Sequence, residues 1–372
     1  MDRNRFLLAG VLAATLASAA AAAPAPAQQP GASEYEGAAG LGLALRRLGT
    51  TKRVLMVGAH PDDEYTPLLA HLALGEGADV AYLSLTRGEG GQNGIGPELG
   101  EALGILRTEE LLAARRADGA GQFFTRAYDF GFSKSAEEAF RHWPREELLR
   151  DVVAVIRRYR PDVLVTVFSG TPQDGHGQHQ VSALVAQEAF RAAGDPARFP
   201  EQVEAGLRPH RPAALYQSLW RGTENATLRL QVGGYDPLLG RSPYQLAMAS
   251  RSRHRSQDMG RPEPAGPQWA HLRRWPFEGP AGNGGAARVG SLFAGVDSTL
   301  SAAALADAGR RARLGAAFAE YTALAERLRR EGNPLRPGAL VPELARAAAL
   351  LDRADAELAG VDADAARDLR FR

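Results

Sequence analysis

The sequence contains no cysteine. That absence excludes disulfide staples, thiolate nucleophiles, iron–sulfur clusters, cysteine-type zinc sites and lipid attachment through a cysteine. It does not fix a compartment. Lysine is scarce as well: Lys52 and Lys134 are the only two, and arginine carries the rest of the positive charge. Neither sign of charge dominates, with 44 Lys and Arg against 43 Asp and Glu. Removing Arg3, Arg5 and Asp2 with the leader leaves the charge even, so no basic footprint marks a nucleic-acid partner. Beyond the first thirty residues no apolar run reaches the ~20 residues that cross a bilayer. What is present is an ordinary folding composition, 45% apolar and 23% charged over 372 residues, enough for one to three domains.

The N-terminus reads as an export signal. Arg3 and Arg5 precede an alanine-rich apolar stretch from Phe6 to about Ala23, followed by small residues and prolines, the order of a cleavable secretory leader. Cleavage after Ala23 or Ala27 fits, and residues 1–27 are taken as the signal. The competing reading is an uncleaved anchor, which the weak hydrophobicity of the alanines disfavours. The expectation is an exported protein, periplasmic or extracellular, with no stable membrane insertion once the signal is removed.

The body of the chain alternates short apolar runs with helical periodicity. Residues 53–59 (RVLMVGA), 79–85 (DVAYLSL), a stretch near 122–128 and 162–168 (DVLVTVF) predict buried strands. Helices are predicted from about 65 to 74, over 101–118, over 145–159 up to Pro161, and over 179–193. Strands separated by helices of that length predict an α/β fold, a mostly parallel sheet flanked by helices. Residues 213–220 and 226–232 suit strands at its edge, and 243–256 suit a helix. The catalytic domain is placed at 50–235. An irregular region rich in Pro, Gly and Arg follows at 236–298, completing or covering the site, with 260–295 read as loop. From 299 to 372 the chain predicts a C-terminal helical extension, a hairpin of helices at about 300–331 and 337–370 broken at Pro334 and Pro337.

The chemistry gathers just after two of the strands. His60-Pro61-Asp62-Asp63-Glu64 follows the first apolar run, and Asp174-Gly175-His176-Gly177-Gln178-His179 follows the fourth and opens a helix. In parallel sheets, sites form beyond the carboxyl ends of strands. One acid beside His60 can meet a metal while its neighbour faces a substrate. His179 at the helix start can reach the same point. Two imidazoles, a carboxylate and an open position suit hydrolysis at zinc, with Fe2+ or another divalent ion compatible with the same donors. The unligated acid, Asp62, would take the proton of a water. His176 would stabilise the oxyanion or protonate the leaving nitrogen, and Asp174 would orient a histidine. His71, His142, His210, His254 and His271 read as structural.

The stretch AHPDDE at 59–64, together with the HxxH element His176-Gly177-Gln178-His179, resembles the LmbE/PIG-L deacetylases, zinc-dependent N-acetyl sugar deacetylases and related amidases. The resemblance covers about 50–200 and implies a Rossmann-like fold. It implies His60, Asp63 and His179 as zinc ligands, Asp62 as general base, and His176 as the histidine that stabilises or protonates the transition state. The family element is often HPDH, whereas Gly177 and Gln178 stand in its middle here. The resemblance reaches the loop Thr86–Asn93, where Arg87, Glu89, Gln92 and Asn93 are candidate contacts to a hydroxyl-rich ligand. Arg107 and Glu110 form a family-like RxxE pair, expected to bond to each other, with lining of the pocket as the alternative. The run Tyr128–Phe132 would either wall the pocket or pack in the core, and Ser250–Gln257 is read as surface. The implied partner is an N-acetylated sugar or sugar conjugate. An amidase or deacylase acting on a glycopeptide or thiol-sugar conjugate, and a non-catalytic glycan binder, are the alternatives. A dinucleotide site is disfavoured because no GxGxxG follows the first strand.

Overall fold

A computed structural model describes residues 34–257, 260–275, 290–361 and 364–371; the expected export signal at 1–27 lies outside them. The apolar runs are strands: β1 (Arg53–Gly58), β2 (Asp79–Ser84), β3 (Gly121–Phe124), β4 (Val163–Thr166) and β5 (Ala214–Ser218). They pair in parallel in the order β3-β2-β1-β4-β5. β6 (Leu228–Gln231) and β7 (Trp269–Arg274) extend the sheet antiparallel to seven strands, with β7 between β5 and β6.

After Arg53, β1 is apolar and buried because both of its faces are covered. Val54 and Met56 pack with Leu68, Leu69 and Leu72, contributed by α2 (Thr66–Ala70) and the wider π-type turn His71–Gly75, and with Leu111 of α3 (Glu101–Asp118). Leu55 and Val57 meet Leu149, Val152 and Ile156 of α5 (Arg145–Tyr159) and Val181 and Val185 of α6 (Gly177–Ala192); the short α4 (Ala136–His142) precedes α5, and α7 (Pro200–Glu204) follows α6. α5 stops where expected, with Arg160 in a left-handed conformation ahead of Pro161, since a residue before proline is pushed out of the helical region. From β1 the chain moves outward to β2 and β3, and from β4 it moves outward the other way to β5. The crevice between the carboxyl ends of β1 and β4 is therefore the switch point of the sheet.

Two expectations change, and one helix lies where the sequence assigned no element. α1 (Gly37–Arg47) is a helix, although Gly37, Gly40 and Gly42 are poor helix formers; packing of its Leu45 against Tyr321 and Leu324 supports it. Within 236–298 the helix expected at 243–256 is present as α8 (Pro243–Arg251), shorter at its end and opened by a Ser242–Gln245 capping box, but β7 lies inside 260–295, the segment read as loop. β7 lacks a clean alternating pattern, and its order comes from two antiparallel partners distant in sequence. The C-terminal extension is helical as predicted but falls into three pieces. α9 (Ala308–Glu331) starts where the Asp307 side chain caps Arg310 N. α10 (Pro337–Leu358) ends ahead of Gly360, which takes a positive φ of 71°, and α11 (Asp364–Phe371) follows.

Candidate metal centre

Two loops meet at the switch point. The first leaves β1 at Gly58, where a side chain would strike the hydroxyl of Tyr82; that hydroxyl donates to the His60 carbonyl at 2.7 Å. The second leaves β4 and enters α6. There Gly177 is needed because a Cβ would collide with the Ser135 carbonyl, so the departure from HPDH makes room for the 133–135 backbone.

One nitrogen each from His60, His176 and His179 lies within 4.8 Å of the others, a cluster able to hold a divalent metal. The Asp63 carboxylate lies against two of these histidines, with Oδ2 3.3 Å from His60 Nδ1 and Oδ1 3.2 Å from His179 Nε2. Donors about 2.0–2.1 Å from a tetrahedral ion stand roughly 3.3 Å apart, so these residues fit such an ion. Asp63 Oδ2 also accepts from the backbone N–H groups of Ala59 and His60 at 2.9 and 2.7 Å. His179 Nδ1 sits 2.9 Å from the Asp174 carbonyl, which leaves Nε2 for a metal. Asp174 therefore orients a histidine as expected, but through its backbone. Its carboxylate instead binds the N–H groups of Ser169, Gly170 and Thr171. The Phe168 ring stacks on His179 with centroids 3.9 Å apart.

Burial opposes charge on Asp63, yet His179 and His60 outweigh it and hold the carboxyl well below its usual range. Burial likewise opposes a proton on His179, but Asp63 wins and raises its pKa. His176 is pushed down to about 4, by burial first and then by His179 and His60. The amide oxygen of Gln178 accepts from Ser133 Oγ at 2.5 Å and lies 2.9 Å from His176 Nδ1, while its NH2 donates to the Gly131 carbonyl. That chain keeps the proton on Nδ1 and turns the Nε2 lone pair outward. Asp62 is pushed up by burial, with Arg107 opposing.

Arg107 does not pair with Glu110. Its Nη2 reaches Asp62 Oδ1 at 3.0 Å and the Pro61 carbonyl at 2.6 Å, while Glu110 accepts from Ser256 N and Oγ. Long-range partners beat the i,i+3 neighbour because both side chains face elements packed on α3. The surface reading of Ser250–Gln257 holds for Arg253, which pairs with Glu34 at the surface, and for exposed Arg255, but not for Ser250, His254 and Ser256, which are buried. Here the polar sequence reflects internal hydrogen bonding.

The four loop candidates do not converge. Arg87 is exposed, with Nη1 on Thr108 Oγ1 and its guanidinium 4.1 Å from the Phe124 ring centre. Asn93 bonds within its own loop, to Ile95 N, Gly96 N and Glu98. Gln92 is exposed, and its carbonyl accepts from the Gln257 side chain. Glu89 Oε2 accepts from Asp129 N at 3.1 Å. Asp129 itself, absent from the candidates, is buried with Oδ2 3.8 Å from His60 Nε2. The available signal was an acid beyond the carboxyl end of a parallel strand. The Tyr128–Phe132 run divides: Phe130 stacks on His142, whereas exposed Phe132 stands 5.9 Å from the His176 ring.

Residues 55–190 match the family model described as PIG-L, GlcNAc-PI de-N-acetylase. This segment is similar to the PIG-L family. The chain is 35% identical over 195 residues to a 1D-myo-inositol 2-acetamido-2-deoxy-alpha-D-glucopyranoside deacetylase of Rhodococcus jostii, covering 48% of this chain and 63% of that one. It is 32% identical over 161 residues to a diacetylchitobiose deacetylase of Thermococcus kodakarensis, covering 43% and 57%. The chain thus spans somewhat less than two thirds of the length of the curated relatives it matches. Among solved structures, an N,N'-diacetylchitobiose deacetylase from Pyrococcus horikoshii aligns over 56% of this chain and 71% of its own, at 20% identity and TM-score 0.44. The PIG-L segment contains both site loops and ends within α6, so β5 to β7 and α8 lie outside it.

Proposed function

We propose that this protein is an exported, zinc-dependent hydrolase that removes the acetyl group from the nitrogen of an N-acetylated sugar or sugar conjugate. The observation that carries the reading is the meeting of His60, Asp63, His176 and His179 beside Asp62 at the switch point. The names of the PIG-L relatives supply the substrate class. His60, Asp63 and His179 would hold the ion, and an imidazole–carboxylate donor set suits zinc. A zinc ion bound there would polarise the acyl oxygen and acidify a water.

The chain's own residues do the rest. Asp62 keeps one oxygen on Arg107, and its other oxygen accepts the proton of the attacking water. Its pKa, raised by burial, brings that carboxylate closer to the proton it must take. His176 presents Nε2 toward the reacting acyl group, with Nδ1–H tied to Gln178. His176 is neutral at rest, its pKa pushed down to about 4; once Nε2 receives the proton that Asp62 takes from the water, it would stabilise the developing oxyanion or pass that proton to the leaving amine.

The test joins metal analysis of purified protein to acetate release from N-acetylglucosamine, chitooligosaccharides, muropeptides and acyl-amine conjugates. Asp62→Ala should retain metal and lower kcat by about 10²–10⁴. Undiminished turnover in that variant removes Asp62 as base, and loss of metal makes it a ligand instead.

A further inference from the structure

The sequence poses a geometric problem that the backbone solves. Asp62 and Asp63 are adjacent, yet both serve one centre. Extended backbone turns neighbouring side chains about 180° apart, and helical backbone about 100°. The chain adopts neither: Asp62 has φ +92°, one of three non-glycine residues with positive φ among the described residues. Such a conformation is strained for a residue with a Cβ and persists only where its surroundings enforce it.

Those surroundings grip both ends of the residue. Asp62 N–H donates to Glu64 Oε2 at 2.9 Å, and the Asp62 carbonyl accepts from Arg251 Nη1 at 2.7 Å. Glu64 is fully buried and is itself fixed. Its Oε1 accepts from Arg115 Nη2 at 2.9 Å and from His254 Nε2 at 2.8 Å. Arg115 is anchored in turn by Asp118, which also accepts from Ser250 Oγ at 2.7 Å. Arg251, His254 and Ser250 all belong to α8 or the turn after it, and α8 packs on α2 and α3. None lies in the PIG-L segment.

We propose that Glu64 and Arg251 are positioning residues for Asp62: by holding its N–H and its carbonyl they keep the residue at positive φ and aim its carboxylate at the centre that Asp63 also serves. The catalytic part of this inference rests on Asp62 being the base. The backbone part does not.

The test uses the full-length protein carrying Arg251→Ala, Arg251→Lys or Glu64→Gln, each alone and combined with Asp62→Ala. Arg251 is only half-buried, so its variants fold even if burial makes Glu64→Gln too unstable to purify. Arg251→Ala should keep its bound metal and its KM while kcat falls about ten- to a hundredfold, the scale of a small misplacement. Arg251→Lys should recover part of the loss. In the Asp62→Ala background the same substitution should cost nothing further, because a residue acting through Asp62 is silent once Asp62 is gone. Equal losses in both backgrounds, loss of metal, or unchanged kcat overturn the proposal. A crystal structure of metal-free Arg251→Ala gives a readout independent of chemistry. Asp62 leaving positive φ supports the clamp, and Asp62 staying there overturns it. If the unaltered protein hydrolyses no amide in the panel, the functional reading falls while this structural readout still decides the clamp.

Discussion

The carboxyl edge of the sheet and the C-terminal hairpin are held together by different physics. Around the site, charges are buried and paired: Glu64, Arg115 and Asp118 are 0–2% exposed and bond to one another. The α9–α10 hairpin is joined by leucines, with Leu324, Leu328, Leu340 and Leu350 forming one apolar cluster, and its ion pairs lie outside. Arg346–Glu320 and Arg313–Glu357 sit at the surface, where solvent screens them. A cluster of buried charge fixes directions, which a reaction requires. An apolar seam supplies cohesion without fixing directions. The hairpin meets the rest of the chain through Leu45 of α1, and α11 does so through Asp368, which pairs with Arg160 and Arg208.

The comparison breaks most sharply at the metal centre. Asp63→Ala should lose the bound ion and with it all measurable acetate release, while hairpin substitutions leave metal content untouched; metal analysis of both sets checks this. Next comes Arg115→Ala, which strands Glu64 and Asp118 without their shared partner. Breaking a buried pair costs about 3–5 kcal/mol, readable by denaturant unfolding. Leu350→Ala in the hairpin should cost about 2–4 kcal/mol through its cavity, with kcat unchanged.

Acid should separate the regions further. Burial opposes ionisation of Glu64, but Arg115 and His254 outweigh it and hold its pKa far below the usual value. The unfolded chain therefore binds its proton first as pH falls. The stability Glu64 contributes is complete above about pH 4.5 and drains away below it. The described hairpin carboxylates in α9 and α10 are not buried. Hydrogen exchange of metal-free protein at pH 7 and pH 4 should show protection falling at β1 and α3 much more than in α9 and α10. The smallest effect belongs to Arg346→Ala, which should leave the melting temperature unchanged; a shift of several degrees would mean that the exposed pairs do more than screening allows.

Sequence alone determined the parallel sheet and pointed to the two loops, after β1 and β4, that meet at its carboxyl edge. Unbroken apolar runs such as 54–59 occur where both faces of a strand are covered, and a histidine with acids just beyond such a run marks the carboxyl edge where sites form. The long helices 101–118 and 145–159 were legible for a related reason, since their periodicity is local. Only the tertiary structure decided what Asp62 and Arg107 do, why Ser250–Gln257 is polar, and where Asp129 and β7 belong. In each case the partner lies tens to hundreds of residues away: Arg251 is 189 residues from Asp62. Charge buried by such a partner looks, in one dimension, the same as charge facing water.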